Sequence, residues 1–250
     1  MQCSWLRVVS NLTMVMSAVG GCEAAQLSGR VQAEDARPLT SVTVIYSRRG
    51  TYPPGTSYRN ITRVRPLPGQ EPFTRTFRPG PDGTFVLTNL LEGEYTVCAS
   101  AEVPYLSSCK WQPVQGALLR SSSDVVTLPP IMLRPGAVIR VQIDTAGHAV
   151  SAVHDRGGPQ FNIGVLMPNG GYAAAELVSS TAGTREFRVV VPFEAAGRLM
   201  IGSRQFELSL AAPPPGVSLV AETPSTSHLP FTLGRGESER AIALRILRRR

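Results

Sequence analysis

Residues 83–100, GTFVLTNLLEGEYTVCAS, hold the pattern that decides the fold class. Two short runs, Thr84–Leu87 and Glu94–Ala99, are rich in the aromatic and β-branched residues typical of strands. Leu90–Gly93 lies between them and ends in a glycine, a residue that interrupts regular structure. The stretch therefore predicts a strand, a turn and a second strand.

Outward from this stretch, the first half of the chain continues the β pattern. Pro79–Gly83 contains an Asp-Gly pair, which favours the positive φ of a hairpin turn. Arg48–Gly69 is rich in Arg, Pro, Gly and Tyr, and we predict an exposed loop there. Gly116–Ser122 is the one segment whose composition suits a helical turn. Further strands are predicted at Leu27–Ala33, Ser41–Ser47, Phe73–Arg78 and Val125–Leu133, the last limited by Pro129-Pro130 to an edge or a crossing between sheets.

The second half shows the same kind of pattern. Pro168–Gly171, PNGG, is a strong hairpin signal. Thr145–Gln160 is polar and contains glycine, so it is interpreted as a loop or linker, and Ala212–Gly236 as the longest irregular stretch. Strands are predicted at Ala137–Asp144, Phe161–Met167, Tyr172–Val178, Glu186–Pro192, Arg198–Ser203, Gln205–Leu210 and Ala241–Leu247.

We predict an all-β protein with two tandem antiparallel β-sandwich domains after an N-terminal signal segment. The predicted boundaries are residues 1–24 for the signal, 25–133 for the first sandwich and 134–250 for the second. Residues 185–203, REFRVVVPFEAAGRLMIGS, share with residues 83–100 the order of strand, turn and strand. This weak internal repeat favours a second sandwich.

Composition limits the function classes. The 250 residues are 42% hydrophobic and only 17% charged, too apolar for a disordered chain. Lys110 is the single lysine, so a Walker-type phosphate loop is excluded. No Gly-x-Ser-x-Gly elbow and no HExxH zinc motif occur, and His148 and His154 lie in a glycine-rich loop. We therefore expect no enzyme, no cofactor and no metal site.

The N-terminus resembles an export signal. Arg7 precedes a mostly apolar run, Val8–Gly21, too short to span a bilayer. Cleavage before Cys22 would leave a lipidated cysteine, as in bacterial lipoproteins, whereas cleavage after Ala24 would release the chain unanchored. A buried N-terminal strand or helix is the alternative interpretation.

Either cleavage leaves Cys98 and Cys109 as the ordinary thiols of the mature chain. Pro104 between them allows the chain to reverse, so we predict a disulfide formed in an oxidising compartment. Closing a ring of this size contributes about 3 kcal/mol on the chain-entropy model.

Residues 27–111 contain a pattern of turn glycines and core positions, namely Gly29, Arg30, Val31, Pro38, Gly83, Phe85, Gly93 and Tyr95. In this pattern the stretch resembles the carboxypeptidase regulatory-like module, a small prealbumin-like β-sandwich grouped by shape with carbohydrate-binding sandwiches. The resemblance implies an exported, non-catalytic module that is often attached to enzymes, receptors or surface proteins. The Arg48–Gly69 insertion and the pair of cysteines depart from the module's pattern.

Four aromatic residues are candidates for contact with a ligand: Tyr52, Tyr58, Tyr105 and Trp111. Sugar rings stack on exposed aromatic faces, so these residues support carbohydrate binding as an alternative function. For Tyr105 and Trp111 we favour packing beneath the disulfide loop, because Trp is mostly buried on average.

The formal net charge is +7 and comes almost entirely from arginine. Dispersed arginines without lysine tracts argue against nucleic-acid binding, while attraction to an anionic envelope surface is consistent with the charge. We predict a non-catalytic exported protein of the cell envelope with a structural or protein-interaction role. Its expected partner is an unidentified envelope protein or polysaccharide, with membrane attachment only through a lipid anchor. The expected location is the periplasm, the outer-membrane surface or the exterior.

Overall fold

The computed structural model describes residues 25–54, 64–148, 150 and 160–250. The described chain is almost entirely strands, with one four-residue helix, α1 (Ser108–Trp111), which confirms the all-β prediction. The predicted signal, with Cys22, lies outside the described residues. Four sheets form two sandwiches, each around its own hydrophobic core.

The first sandwich packs the sheet β4-β1-β7, in which β8 also pairs with β1, against the sheet β3-β2-β5-β6. Its core includes the fully buried Leu27 and Val97, one from each sheet. Burial of such side chains stabilises the fold by roughly 1.5–3 kcal/mol each. The strands are β1 (Ala25–Ala33), β2 (Thr43–Arg48), β3 (Phe73–Phe77), β4 (Thr84–Leu90), β5 (Gly93–Ser100), β6 (Gln115–Leu119), β7 (Val125–Thr127) and β8 (Ile131–Leu133).

The second sandwich packs the sheet β11-β10-β14-β17-β16 against the sheet β12-β13-β9-β18-β15. Ile139 and Leu199, one from each sheet, are fully buried in its core. The strands are β9 (Ala137–Asp144), β10 (Asn162–Leu166), β11 (Tyr172–Ala174), β12 (Glu176–Ser180), β13 (Thr184–Val191), β14 (Ala196–Gly202), β15 (Phe206–Leu210), β16 (Val220–Thr223), β17 (Thr226–Thr232) and β18 (Glu239–Arg249).

The two sandwiches share a connectivity. In the first, β1 pairs antiparallel with β4 and parallel with the closing strands β7 and β8. In the second, β9 pairs antiparallel with β13 and parallel with the closing strand β18. The strand after β4 or β13 crosses to the opposite sheet in both cases. The repeat suggested by residues 83–100 and 185–203 therefore corresponds to equivalent consecutive strands: β4 is equivalent to β13, and β5 is equivalent to β14.

Two sequence-based assignments in the first sandwich need correction. Gly116–Ser122 forms no helical turn. Residues 115–119 are instead β6, because the backbone groups at the edge of β5 pair with them in an antiparallel ladder. Val125–Leu133 is two strands, and Pro129-Pro130 separates β7 from β8 because proline cannot donate to a ladder. Both strands nevertheless pair with β1.

The second sandwich differs from the prediction at two places. The chain predicted as one strand at Tyr172–Val178 changes sheets at Ala175, so that β11 and β12 lie in opposite sheets. Ala212–Gly236 is not irregular throughout, because β16 and β17 form an antiparallel hairpin across Pro224-Ser225. Thr145–Gln160 follows β9 and precedes β10 in the chain, and its residues 149 and 151–159 lie outside the described residues.

Candidate functional site

The segment from Cys98 to Trp111, which includes both cysteines and the two residues after the second, is called the clasp loop. Cys98 of β5 and Cys109 of α1 are joined by a disulfide, with 5.1 Å between their Cα atoms. Ser108 adds a second attachment: its buried hydroxyl accepts from the Ala99 amide at 2.8 Å and donates to the Ala99 carbonyl at 3.1 Å. The clasp loop is therefore fixed to the end of β5 by one covalent bond and two hydrogen bonds.

The clasp loop also contacts the loop that follows β1. The Tyr105 hydroxyl donates to the Asp35 carboxylate at 3.1 Å, and the Glu102 carboxylate accepts from both the amide and the hydroxyl of Thr40. Tyr105 is only 7% exposed. Burial, followed by the hydrogen bond to Asp35, raises the pKa of the Tyr105 hydroxyl. These contacts hold the clasp loop against the first sandwich.

The connection between the sandwiches, residues 134–136, is bound to the same loop. The Leu106 amide donates to the Arg134 carbonyl at 2.8 Å, and the Gly136 amide donates to the Pro104 carbonyl at 2.8 Å. Gly136 has no room for a side chain, because a Cβ there would lie 2.5 Å from the Val191 carbonyl oxygen and 2.9 Å from Leu106 Cδ2. The glycine thus allows the clasp loop and β13 to approach the connection closely.

Two side chains at the end of the clasp loop reach the second sandwich. Trp111 is partly buried and packs against the second hydrophobic core, although it belongs to the first half of the chain. Lys110 Nζ donates to the Ala174 carbonyl of β11 at 3.1 Å. The clasp loop therefore contacts the first sandwich, the connection and the second sandwich.

The region where the clasp loop meets residues 134–136 and the second sandwich is called the joint. A cleft of about 390 Å³ lies beside it, between the clasp loop and strands β11, β12 and β13. Its two basic side chains already have partners within the protein. Lys110 Nζ donates to the Ala174 carbonyl, and the Arg188 guanidinium donates to the Glu186 carboxylate at 3.0 and 2.8 Å. Val103 and Val178 give it exposed apolar surface. Because both basic side chains are already engaged and part of the surface is apolar, we interpret the cleft as a packing surface between the two sandwiches.

The described residues contain no group of three or more His, Cys, Asp or Glu able to hold a metal ion. His228 contacts the Glu222 carboxylate at 3.1 Å, and the His148 ring lies edge-on to Phe206 at 6.0 Å between ring centroids. Within the same part of the chain, no helix is long and apolar enough to cross a membrane.

The structure does not assemble the predicted aromatic contacts on one surface. Tyr105 and Trp111 lie in the joint, at the end of the β2-β5 pair where Thr43 faces Ser100. Tyr52 is half-buried beyond the opposite end of that pair, where its ring lies near Gly50. Tyr58 lies outside the described residues, as does His154. A shared stacking platform formed by Tyr52, Tyr105 and Trp111 is therefore absent.

Sequence reasoning missed the bridging role of the clasp loop. Two signals were present: the only lysine of the chain and a tryptophan both follow directly after Cys109. The role of Gly136, one residue before β9, could not be predicted, because the close approach that its small size allows is visible only in the structure.

No protein-family pattern and no curated protein matches the chain. Among solved structures, a Streptococcal ancillary pilin is similar at 16% identity and TM-score 0.38, covering 90% of this chain and 63% of that one. The Bacillus anthracis TIE protein is similar at 13% identity and TM-score 0.31, over 90% of this chain and 34% of that one. The minor pilin GBS52 of Streptococcus agalactiae is similar at 10% identity and TM-score 0.31, over 90% and 97%.

The chain thus spans less than two thirds of the length of the first two of these proteins. At such low identities and TM-scores, the similarities carry no inference about what this chain does. The carboxypeptidase regulatory-like assignment stays a prediction.

Proposed function

We propose that the protein is a non-catalytic, exported protein of the cell envelope, in which two β-sandwiches form one rigid spacer for protein contact. The observation that carries this proposal is the clasp loop, which ties both sandwiches and their connection together. Domains joined by a small polar interface move relative to each other by default. A disulfide, a buried Tyr and a Trp packed on the neighbouring core work against such motion.

The disulfide of the clasp loop supports the exported location in this proposal. The disulfide between Cys98 and Cys109 requires an oxidising environment to persist, which the reducing cytosol does not supply. An export signal at residues 1–24 is consistent with that environment, and Cys22 is either lipidated or removed with the signal. We therefore propose a location outside the cytosol, with the envelope as the proposed site.

Cell fractionation combined with thiol labelling tests the location. We expect the mature chain in the envelope or culture fluid, with no thiol that reacts before reductant and two that react after it. Release by detergent but not by salt would identify the lipidated form. A cytosolic chain with two free thiols would contradict the proposal.

A pull-down from envelope extract tests the interaction role. The full chain serves as bait, and the matched control carries Cys98→Ser and Cys109→Ser, which leaves every surface charge in place. We expect an envelope protein to be enriched by the native chain and less so by the control. Turnover of a substrate by the purified chain, abolished by a point change, would overturn the non-catalytic assignment.

A further inference from the structure

One corner of the second sandwich contains a group of arginine side chains that take no part in the joint. The pairing of β15 with β18 places Glu207 opposite Arg248 and Ser209 opposite Arg245, and the Arg250 amide donates to the Gln205 carbonyl at 2.7 Å. Residues distant in sequence are thereby brought together. The arginine corner is defined as Arg245, Arg248, Arg249 and Arg250.

Several arginines elsewhere in this sandwich pair with carboxylates, whereas Arg185 binds backbone carbonyls. Arg140 bridges Glu186 and Glu239 at 3.4 and 3.0 Å. Arg198 pairs with Glu222 at 2.7 Å.

At the arginine corner, fewer arginines pair with carboxylates. Arg248 pairs with Glu207 at 2.7 Å, but that ion pair is largely solvent-exposed. Arg245 donates to the Ser209 hydroxyl at 3.3 Å and Arg250 to the Phe206 carbonyl at 3.2 Å, so both bind neutral groups. Along residues 205–210 and 245–250, the four arginines of the corner are accompanied by one acidic residue, Glu207. The corner is therefore a focus of uncompensated positive potential.

The corner has the shape of a groove. Arg248, Arg249 and Arg250 line an open depression of about 650 Å³ between the β15-β18 edge and the β16-β17 hairpin. All three side chains are exposed. Glu207 also lines the depression, where it pairs with Arg248, and Leu208, Leu219, Ala221 and Pro224 supply apolar lining.

We infer that this groove binds an anionic polysaccharide of the envelope through its carboxylate or phosphate groups. Guanidinium groups bind such anions in a bidentate manner, and an apolar lining suits the C–H faces of sugar rings. A linear chain can follow a groove, whereas a flat bilayer favours a convex basic surface. Nucleic acid is disfavoured because the disulfide indicates an extracytoplasmic location.

Affinity electrophoresis and calorimetry of the full chain test the inference with polygalacturonate, a linear polymer of carboxylated sugars, and with neutral dextran. The variant carries Arg248→Gln, Arg249→Gln and Arg250→Gln. The matched control carries Arg65→Gln, Arg78→Gln and Arg120→Gln, three exposed residues of the first half whose loss lowers net charge equally. A second pair, Arg249→Glu and Arg120→Glu, serves if the triple variant fails to fold.

We expect the native chain to bind polygalacturonate in a salt-sensitive manner and to ignore dextran. Affinity should fall at least tenfold in the groove variant and less than twofold in the control. An equal loss in both would assign binding to net charge and overturn the inference. So would equal or tighter binding of anionic phospholipid vesicles that depends on the same arginines.

The inference rests on the proposed envelope location, but its test uses purified protein. Failure of polygalacturonate binding would therefore leave the thiol-labelling result and the joint unaffected.

Discussion

Lys110, the single lysine of the chain, donates a hydrogen bond from Nζ to the Ala174 carbonyl at 3.1 Å, across the boundary between the two sandwiches. The residue lies in α1, directly after Cys109, so the disulfide fixes the backbone from which the side chain extends. A long flexible side chain loses rotamer entropy when it is held in one place. Fixing its backbone in advance lowers the cost of this contact, which links the disulfide to the geometry of the joint.

Replacing both cysteines tests the contribution of the disulfide. We expect Cys98→Ser/Cys109→Ser to lower the free energy of unfolding by about 3 kcal/mol, because the unfolded chain regains the freedom that the ring removes. Urea denaturation, followed by circular dichroism, measures the change. A loss below about 1 kcal/mol would show that the contacts of Ser108 and Tyr105 hold the clasp loop without the covalent bond.

A methyl group at the connection should force the joint apart. Gly136→Ala would place a Cβ 2.5 Å from the Val191 carbonyl oxygen, and backbone cannot give way cheaply. We expect a loss of about 1–3 kcal/mol, as for overpacked cores. Gly116→Ala is the matched control, because its Cβ would meet only the Tyr95 carbonyl oxygen at 3.9 Å. Equal stability of both variants in urea would contradict the tight joint.

The fold of the first sandwich depends on a glycine facing a phenylalanine. Gly29 of β1 pairs with Phe85 of β4, and a Cβ on Gly29 would lie 2.6 Å from Phe85 Cζ. We expect Gly29→Ala to destabilise the protein by about 1–3 kcal/mol because Phe85 is buried and cannot turn away. Phe85→Leu should reduce that penalty in the double variant, and thermal unfolding of the four proteins of the cycle measures the coupling. If the stability changes of the two single variants simply add up in the double variant, the contact between Gly29 and Phe85 would be contradicted.

Acid sensitivity should arise in part from Asp124, which orders the turn between β6 and β7. The hydroxyl of Ser121 at 2.6 Å and the amide of Arg120 at 2.5 Å donate to its carboxylate and lower its pKa. A lowered folded pKa stabilises the protein above the ordinary carboxyl pKa of about 4, and this stabilisation is lost as pH falls through the folded value.

Asp124→Asn should therefore destabilise the protein more at pH 7 than at pH 3. Urea midpoints across this range, compared between the native chain and the variant, measure the difference. A difference that does not change with pH would contradict the assigned charge interaction.

Local sequence was enough for much of the architecture. Alternating and β-branched runs located β2, β4, β5 and β9, since these strands are half-buried and show that pattern in sequence. The spacing of Cys98 and Cys109 likewise predicted a disulfide, which the structure contains.

Long-range contacts explain what local sequence did not reveal. The composition of Gly116–Ser122 suits a helical turn, but pairing with β5 makes residues 115–119 a strand. The arginine corner exists only because β15 and β18 pair, which places Glu207 opposite Arg248, 41 positions away in sequence. The bridging by Lys110 and Trp111 depends on where the second sandwich lies, and no segment of the first half encodes that position.

The relative motion of the two sandwiches tests the central claim most directly. Spin labels on unnatural amino acids at exposed Thr74 of β3 and Ser180 of β12 would leave the native disulfide intact, and pulsed electron resonance would measure their separation. A rigid spacer predicts one narrow distance distribution that broadens in Cys98→Ser/Cys109→Ser and in Gly136→Ala. A broad distribution in the native chain, unchanged by either variant, would contradict it.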